Sequence, residues 1–325
     1  MRERVLVGLI LTAVLVLSGV PPDRLAAQTG PVPGGGAVYR AGVELVALPV
    51  VVTDGQQKLV SGLQAEQFAV FEDGVRQDIT FFASSHVPLD LALLLDTSAS
   101  MYDKIGRLQE AASGFVSTLG PEDRVSVVDV KDSVRTVHPM DGDLAAARRA
   151  IAATTPTGGT ALYNGLYMTL REMVRLRRDD TTVRRQALAV FSDGDDTASL
   201  VAFDDVLEAA RQAGVSIYTI LLRTPGVVTS SRDRRSTTES GFSMKSLAQE
   251  TGGRAFFPDD IRQLAAVYGS IARELSNQYA IGYASSNPRR DGTYRRVSVQ
   301  VTTPAGLTAR TRTGYQPGRA AAAAR

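Results

Sequence analysis

Leu89-Asp90-Leu91-Ala92-Leu93-Leu94-Leu95-Asp96-Thr97-Ser98-Ala99-Ser100 is the stretch that decides the fold of this chain. Its first seven residues form an apolar run broken only by Asp90, which predicts a strand buried on both faces, as in a parallel sheet. At the carboxyl end of that strand one carboxylate and two hydroxyls alternate, at Asp96, Ser98 and Ser100. Open α/β sheets collect their ligands at that edge. A cluster of oxygen donors with no nitrogen or sulfur among them suits a hard cation such as Mg²⁺ rather than zinc. The stretch reads as half of a divalent-cation site, whose other half must come from other loops.

Working outward, strands and helices alternate. Helical spacing of apolar residues predicts helices over 105–118, 144–153, 161–178, 203–213, 244–250 and 259–276. Apolar runs predict strands over 125–130, 134–138, 187–191 and 215–222, and Gly214 closes the helix before the last of these. Successive βα units imply a doubly wound, mainly parallel, Rossmann-like α/β sheet. The polar segment 224–240, with Arg232, Arg234 and Arg235, reads as a mobile surface loop, with a basic recognition loop as the other reading.

Both flanks carry β signals. Over 43–51 apolar residues alternate, Phe68-Ala69-Val70-Phe71 is a short strand, and 75–82 alternates again. After residue 276 the signals return at Tyr279-Ala280-Ile281-Gly282-Tyr283, at Val297, Val299 and Val301, and over 307–313. Neither flank is large enough alone. The economical arrangement is one small β-sandwich-like domain built from 38–87 and 277–317, with the α/β domain, 88–276, inserted in it.

Two further segments can complete the cation site. Thr157-Gly158-Gly159-Thr160 precedes the long helix, where the glycines permit tight turns and Thr160 presents a hydroxyl at the helix start. Ser192-Asp193-Gly194-Asp195-Asp196 follows a predicted strand, again at the carboxyl edge, and Asp193 is its natural carboxylate. The predicted metal residues are therefore Asp96, Ser98, Ser100, Thr160 and Asp193.

With these three segments in this order, residues 88–275 resemble the von Willebrand factor A domain and its metal-ion-dependent adhesion site, whose pattern is Asp-x-Ser-x-Ser, a distant Thr and a distant Asp. The flanking Val50-Val51-Val52-Thr53-Asp54 and Phe71-Glu72-Asp73-Gly74, with Gly314-Tyr315, look like the secreted von Willebrand-A-related proteins of acidobacteria. The resemblance implies that the serine and threonine hydroxyls ligate the ion directly or through water, while the aspartates mostly support it through water. Neutral ligands leave the ion electrophilic, with a position that an Asp or Glu of a partner can fill. The implied ion is Mg²⁺, with Mn²⁺ or Ca²⁺ open, and the implied function is metal-dependent binding of a protein or peptide.

Composition bounds the alternatives. A chain of 325 residues with 44% hydrophobic content has room for two domains and a buried core. Net charge is +2 with both signs interspersed, which argues against a dedicated nucleic-acid surface. There is no cysteine, which excludes disulfides, thiolate chemistry and a lipidated cysteine. Arg2 and Arg4, an apolar run over 5–20 and Leu25-Ala26-Ala27 form a signal-peptide pattern, 1–27. The other reading is a membrane anchor, for which the run is slightly short. A Gly/Pro-rich linker over 28–37 follows, and the alanine-rich 318–325 reads as a disordered tail. The expected location is the bacterial envelope, secreted or periplasmic, with no membrane span once the signal is removed.

Weaker candidates remain. His86 and His138, the two histidines, read as surface or junction residues. Asp129 interrupts an apolar strand, and a buried unpaired carboxylate is costly, so a pairing with Lys131 or Arg135 is expected. Asp196 reads as solvated. No base stands obviously near the serines, so no enzyme is expected. A metal-assisted phosphoester hydrolase and a structural envelope module whose ion only stiffens loops are the other function classes.

Overall fold

The structure, a computed structural model, describes residues 45–84, 87–180, 182–193, 195–222, 231–289 and 291–317, with the side chains of 231–238 outside that description. The expected signal peptide, linker and tail, and His86, lie outside the described residues. In chain order the elements are β1 (Leu45–Thr53), β2 (Phe68–Glu72), β3 (Val75–Gln77), β4 (Ile79–Ala83), β5 (Leu89–Asp96), α1 (Ile105–Val116), β6 (Arg124–Val130), β7 (Val134–Asp141), α2 (Leu144–Ala152) and α3 (Leu162–Asp179). They continue with β8 (Arg185–Ser192), α4 (Phe203–Ala213), β9 (Ser216–Leu221), α5 (Ser231–Glu250), β10 (Ala255–Phe256), α6 (Leu264–Ser276), β11 (Tyr279–Ala284), β12 (Arg295–Val301), β13 (Thr308–Arg310) and β14 (Gly314–Tyr315).

The apolar run that opened the sequence is β5, buried at every position. It lies inside a six-stranded sheet of order β10-β9-β8-β5-β6-β7, parallel throughout except for the antiparallel β6–β7 edge. Because β5 is covered on both faces, its alternate residues feed two cores. Leu91, Leu93 and Leu95 pack with α1, α2 and α6, whereas Ala92 and Leu94 pack with α3, α4 and α5. Burying one leucine side chain is worth about 1.5–3 kcal/mol, so this one strand is a large share of the cohesion.

The chain leaves β5 for β6 on one side and later returns to β8 on the other. The connections therefore diverge at β5 and β8, which opens a crevice beyond their carboxyl ends. Asp96 ends β5 and Ser192 ends β8. Sheet topology alone thus places the Asp96 loop and the Ser192-Asp193 loop side by side.

Two four-stranded antiparallel sheets, of order β13-β1-β11-β4 and β14-β12-β2-β3, take strands from both ends of the chain. β1 pairs with β11 and β2 with β12. They enclose one core of Val46, Leu48, Phe68, Val70, Tyr279, Tyr283 and Val299 among others. Inside it Glu72 accepts hydrogen bonds from Tyr283 (2.8 Å), Ser285 (2.6 Å), Tyr315 (2.9 Å) and Arg295 (3.1 Å).

Four expectations need correction. The run 75–82 is not one strand: β3 and β4 belong to different sheets, because the chain turns the corner of the sandwich at Asp78. The loop expected over 224–240 is helical from Ser231 onward as the first half of α5, while 223–230 fall outside the described residues. His138 is buried in β7, its Nε2 3.0 Å from Asp141 Oδ1, rather than on the surface. Asp196 is hydrogen-bonded rather than solvated, as detailed below.

Candidate metal centre

Asp96, at the end of β5, is fully buried. Its Oδ1 accepts from the Ser98 amide at 2.9 Å, which folds the loop back over the strand end. Its Oδ2 accepts from Ser192 Oγ of the neighbouring strand at 2.6 Å. Burial pushes the Asp96 carboxyl up, opposed by hydrogen bonds from Ser192 and Ser98 and reinforced by the like charge of Asp193. A carboxylate held in that environment is one that a nearby cation would stabilise.

From there a chain of side-chain hydrogen bonds crosses the crevice. Ser98 Oγ and Ser100 Oγ are 3.0 Å apart, and Ser100 Oγ donates to Asp193 Oδ1 at 2.7 Å. The other oxygen of Asp193 accepts from Lys104 Nζ, which also donates to the Ser100 carbonyl at 2.9 Å. Ser98, Ser100 and Asp193 are thereby joined side chain to side chain, and Asp96 joins them through the Ser98 amide.

Thr160 is reached through backbone. Thr157 N donates to Thr97 O and Ala99 N to Gly158 O, each at 3.0 Å, so the two loops run clasped together. Gly158 has φ +70°, and a Cβ there would stand 2.0 Å from Asp132 Oδ2, so only glycine fits this turn. Asp132 Oδ1 accepts from the Gly159 amide at 2.6 Å. Thr160 is 5% exposed, held at the start of α3 beside the Asp96 loop.

Several residues that sequence reasoning did not assign to the site build this arrangement. Asp196 Oδ1 accepts from the Tyr163 amide at 3.1 Å and from Ser199 Oγ at 2.6 Å. It caps the first turn of α3, whose own N-cap, Ala161, has no side chain able to do so. Asn164 Oδ1 returns the clasp by accepting from Leu200 N and Val201 N, both at 3.1 Å. Thr197 Oγ1 accepts from Thr160 N at 3.0 Å. The Asp193 loop therefore holds the start of α3, and with it Thr160. Ser192 carried a legible signal, a hydroxyl at a strand end beside Asp193; Lys104, eight residues beyond Asp96, carried none. Asp129 is paired with Lys131 at 3.2 Å and accepts a hydrogen bond from Thr97 Oγ1, so it buttresses the loop from below.

The donor set fits a hard divalent cation. It offers three hydroxyls and two carboxylates, with no nitrogen or sulfur ligand. Among the described residues no three His, Cys, Asp or Glu side chains converge into a cage, so this is a hydroxyl-rich site and not an acidic one.

Fold and site together define an α/β protein with a hydroxyl–carboxylate cluster at the switch point of a mainly parallel sheet. Residues 91–195, which contain all five predicted ligands, match the family model of the von Willebrand factor type A domain. No curated protein matches the chain. Among solved structures it is similar to a von Willebrand factor type A protein from Catenulispora acidiphila, at 13% identity over 86% of this chain and 76% of that one, TM-score 0.48. It is also similar to proximal thread matrix protein 1 from the mussel byssus, with a zinc-occupied MIDAS motif, at 17% identity over 64% of this chain and 50% of that one, TM-score 0.48. A third is the conserved hypothetical protein BatB from Bacteroides thetaiotaomicron, at 18% identity over 58% of this chain and 97% of that one, TM-score 0.43. The chain spans about half the length of the mussel protein. Among the described residues no helix is long and apolar enough to cross a membrane.

Proposed function

We propose that this protein is a metal-dependent protein-binding module of the bacterial envelope, secreted or periplasmic. Asp96, Ser98, Ser100, Thr160 and Asp193 hold a divalent cation, Mg²⁺ in the first instance, whose remaining position takes an Asp or Glu of a protein or peptide partner. The observation that carries the reading is the hydrogen-bonded chain Asp96–Ser98–Ser100–Asp193, with the buried Thr160 held beside it by the clasped loops. A bond from the ion to a partner carboxylate is charge-assisted and directional, so one acidic residue can anchor a modest interface. The reading includes removal of 1–27 as a signal peptide, a division into 38–87 plus 277–317 and 88–276, and kinship with the secreted acidobacterial proteins. It assigns no catalytic step: among the described residues neither serine hydroxyl is shown bonded to a histidine or lysine side chain that could activate it.

The test has two arms. Calorimetric titration with Mg²⁺ and Mn²⁺ should show one site, absent in Asp96→Ala. Partner capture from native envelope should require the ion and be lost in EDTA; capture that survives both EDTA and Asp96→Ala overturns the reading. A second reading is favoured by the Thr157–Thr97 and Ala99–Gly158 backbone bonds, which already lock the loops. In it the ion only stiffens the loops, so the melting temperature depends on metal while nothing is captured.

A further inference from the structure

Lys104 sits at the N-cap of α1, and its side chain makes no capping bond. A cation there faces the positive end of the helix dipole, the wrong sign for that position. Its aliphatic stem instead folds back over the Asp96 loop, with the ammonium on Asp193 Oδ2 and on the Ser100 carbonyl at 2.9 Å. The side chain is 19% exposed and the Asp193 side chain 1%. Asp193 therefore spends one oxygen on Ser100 and the other on Lys104. A local rule broken at a ligand-binding edge points to a role there.

We propose that Lys104 is a tethered cation that holds Asp193 while the site is free of metal and that a divalent ion must displace. The inference rests on the metal-binding reading and deepens it. The two site carboxylates, Asp96 and Asp193, and one ammonium leave a net charge of −1 before metal arrives. In the free state Lys104 offsets the mutual repulsion of the carboxylates and keeps the loops assembled. When the ion enters, it takes the interaction with Asp193 and the ammonium swings toward solvent. The lysine thereby sets the metal concentration at which the site fills, because affinity falls by the fraction of molecules in which the pocket is free. It also favours ions that compete well for a carboxylate.

The experiment titrates the full chain and its Lys104→Met and Lys104→Gln variants with Mg²⁺ and, separately, Mn²⁺, by calorimetry. If the pair is made in nine molecules of ten, both variants bind about tenfold more tightly than wild type. In EDTA both variants melt at a lower temperature, because Asp193 has lost its partner. A second readout is labelling of Lys104 with an amine-acylating reagent, followed by mass spectrometry, which rises when metal is added to wild type. Wild-type binding with unchanged or weakened binding in the variants, or labelling of Lys104 that metal does not raise, overturns the inference and leaves the metal site standing. Binding in the variants with none in wild type supports it. Absence of binding in all three removes the metal reading and this inference together.

Discussion

Ser100 Oγ lies 2.7 Å from Asp193 Oδ1, a hydrogen bond between residues 93 positions apart in the chain. It spans the crevice between the ends of two neighbouring strands, β5 and β8, and so couples the loop that carries two hydroxyls to the loop that carries the second carboxylate. Everything proposed for the site depends on those loops staying in register.

Metal should therefore stabilise the protein, and only through an intact loop pair. At a hundredfold excess over Kd a ligand of the folded state adds about 2.7 kcal/mol. Scanning calorimetry should show a rise of several degrees in wild type and none in Asp96→Ala or Ser98→Ala. An equal rise in the variants would place the ion elsewhere.

The sandwich has its own electrostatic keystone. Burial would raise the Glu72 carboxyl, but hydrogen bonds from Ser285, Tyr283 and Tyr315 and the Arg295 charge outweigh it and hold it below the usual 4.5. A carboxyl lowered on folding adds stability above its unfolded pKa and loses it as pH falls through the folded one. Glu72→Gln strands Arg295 and should cost on the order of 3 kcal/mol at pH 7. That gap between variant and wild type should shrink below pH 4.5, as followed by urea unfolding across pH. A gap constant with pH would mean that the carboxylate charge contributes nothing.

At the opposite end of β5, Asp90 is buried and binds Arg124 through both oxygens at 2.8 Å and Arg184 at 2.6 Å. Asp90→Asn leaves Arg184 without its carboxylate and Arg124 with Asp180 alone, at 2.7 Å, and should cost about 3 kcal/mol. Because the residue is at the amino end of the strand and the site at the carboxyl end, Mg²⁺ affinity by calorimetry should not change.

Two glycines should behave oppositely. A Cβ on Gly253 would stand 1.9 Å from the Ile217 carbonyl oxygen, backbone that cannot yield, so Gly253→Ala should cost at least about 3 kcal/mol. Gly114 lies exposed within α1 with nothing within 4 Å of a new Cβ, so Gly114→Ala should add up to about 1 kcal/mol. Denaturant midpoints of the two variants measure both effects.

Much of this was legible in one dimension. The continuous apolar run of β5 signalled a strand covered on both faces, and the alternation of Val297, Val299 and Val301 signalled one face inside and one outside. Such patterns are local, because side-chain direction follows the period of the backbone. The loops at the carboxyl edge were legible for the same reason: hydroxyls and carboxylates directly after strand ends. Three features were not. The break between β3 and β4 depends on which sheet each half joins, the capping of α3 by Asp196 on a residue 33 positions away, and the burial of His138 on what packs against β7.

By itself, then, the sequence determined most of the helices and strands of the α/β unit, that its sheet is mainly parallel, and which oxygen-bearing residues stand at its edge, since each follows from periodicity and turn chemistry within a few residues; it did not show the helix over 231–240. Only the tertiary structure decided which of those groups meet: Ser192 against Asp96, Ser100 and Lys104 against Asp193, Thr197 under Thr160. The reason is physical. Hydrogen bonds and ion pairs act over about 3 Å, and strand order, which no local pattern encodes, is what brings residues almost a hundred positions apart within that reach.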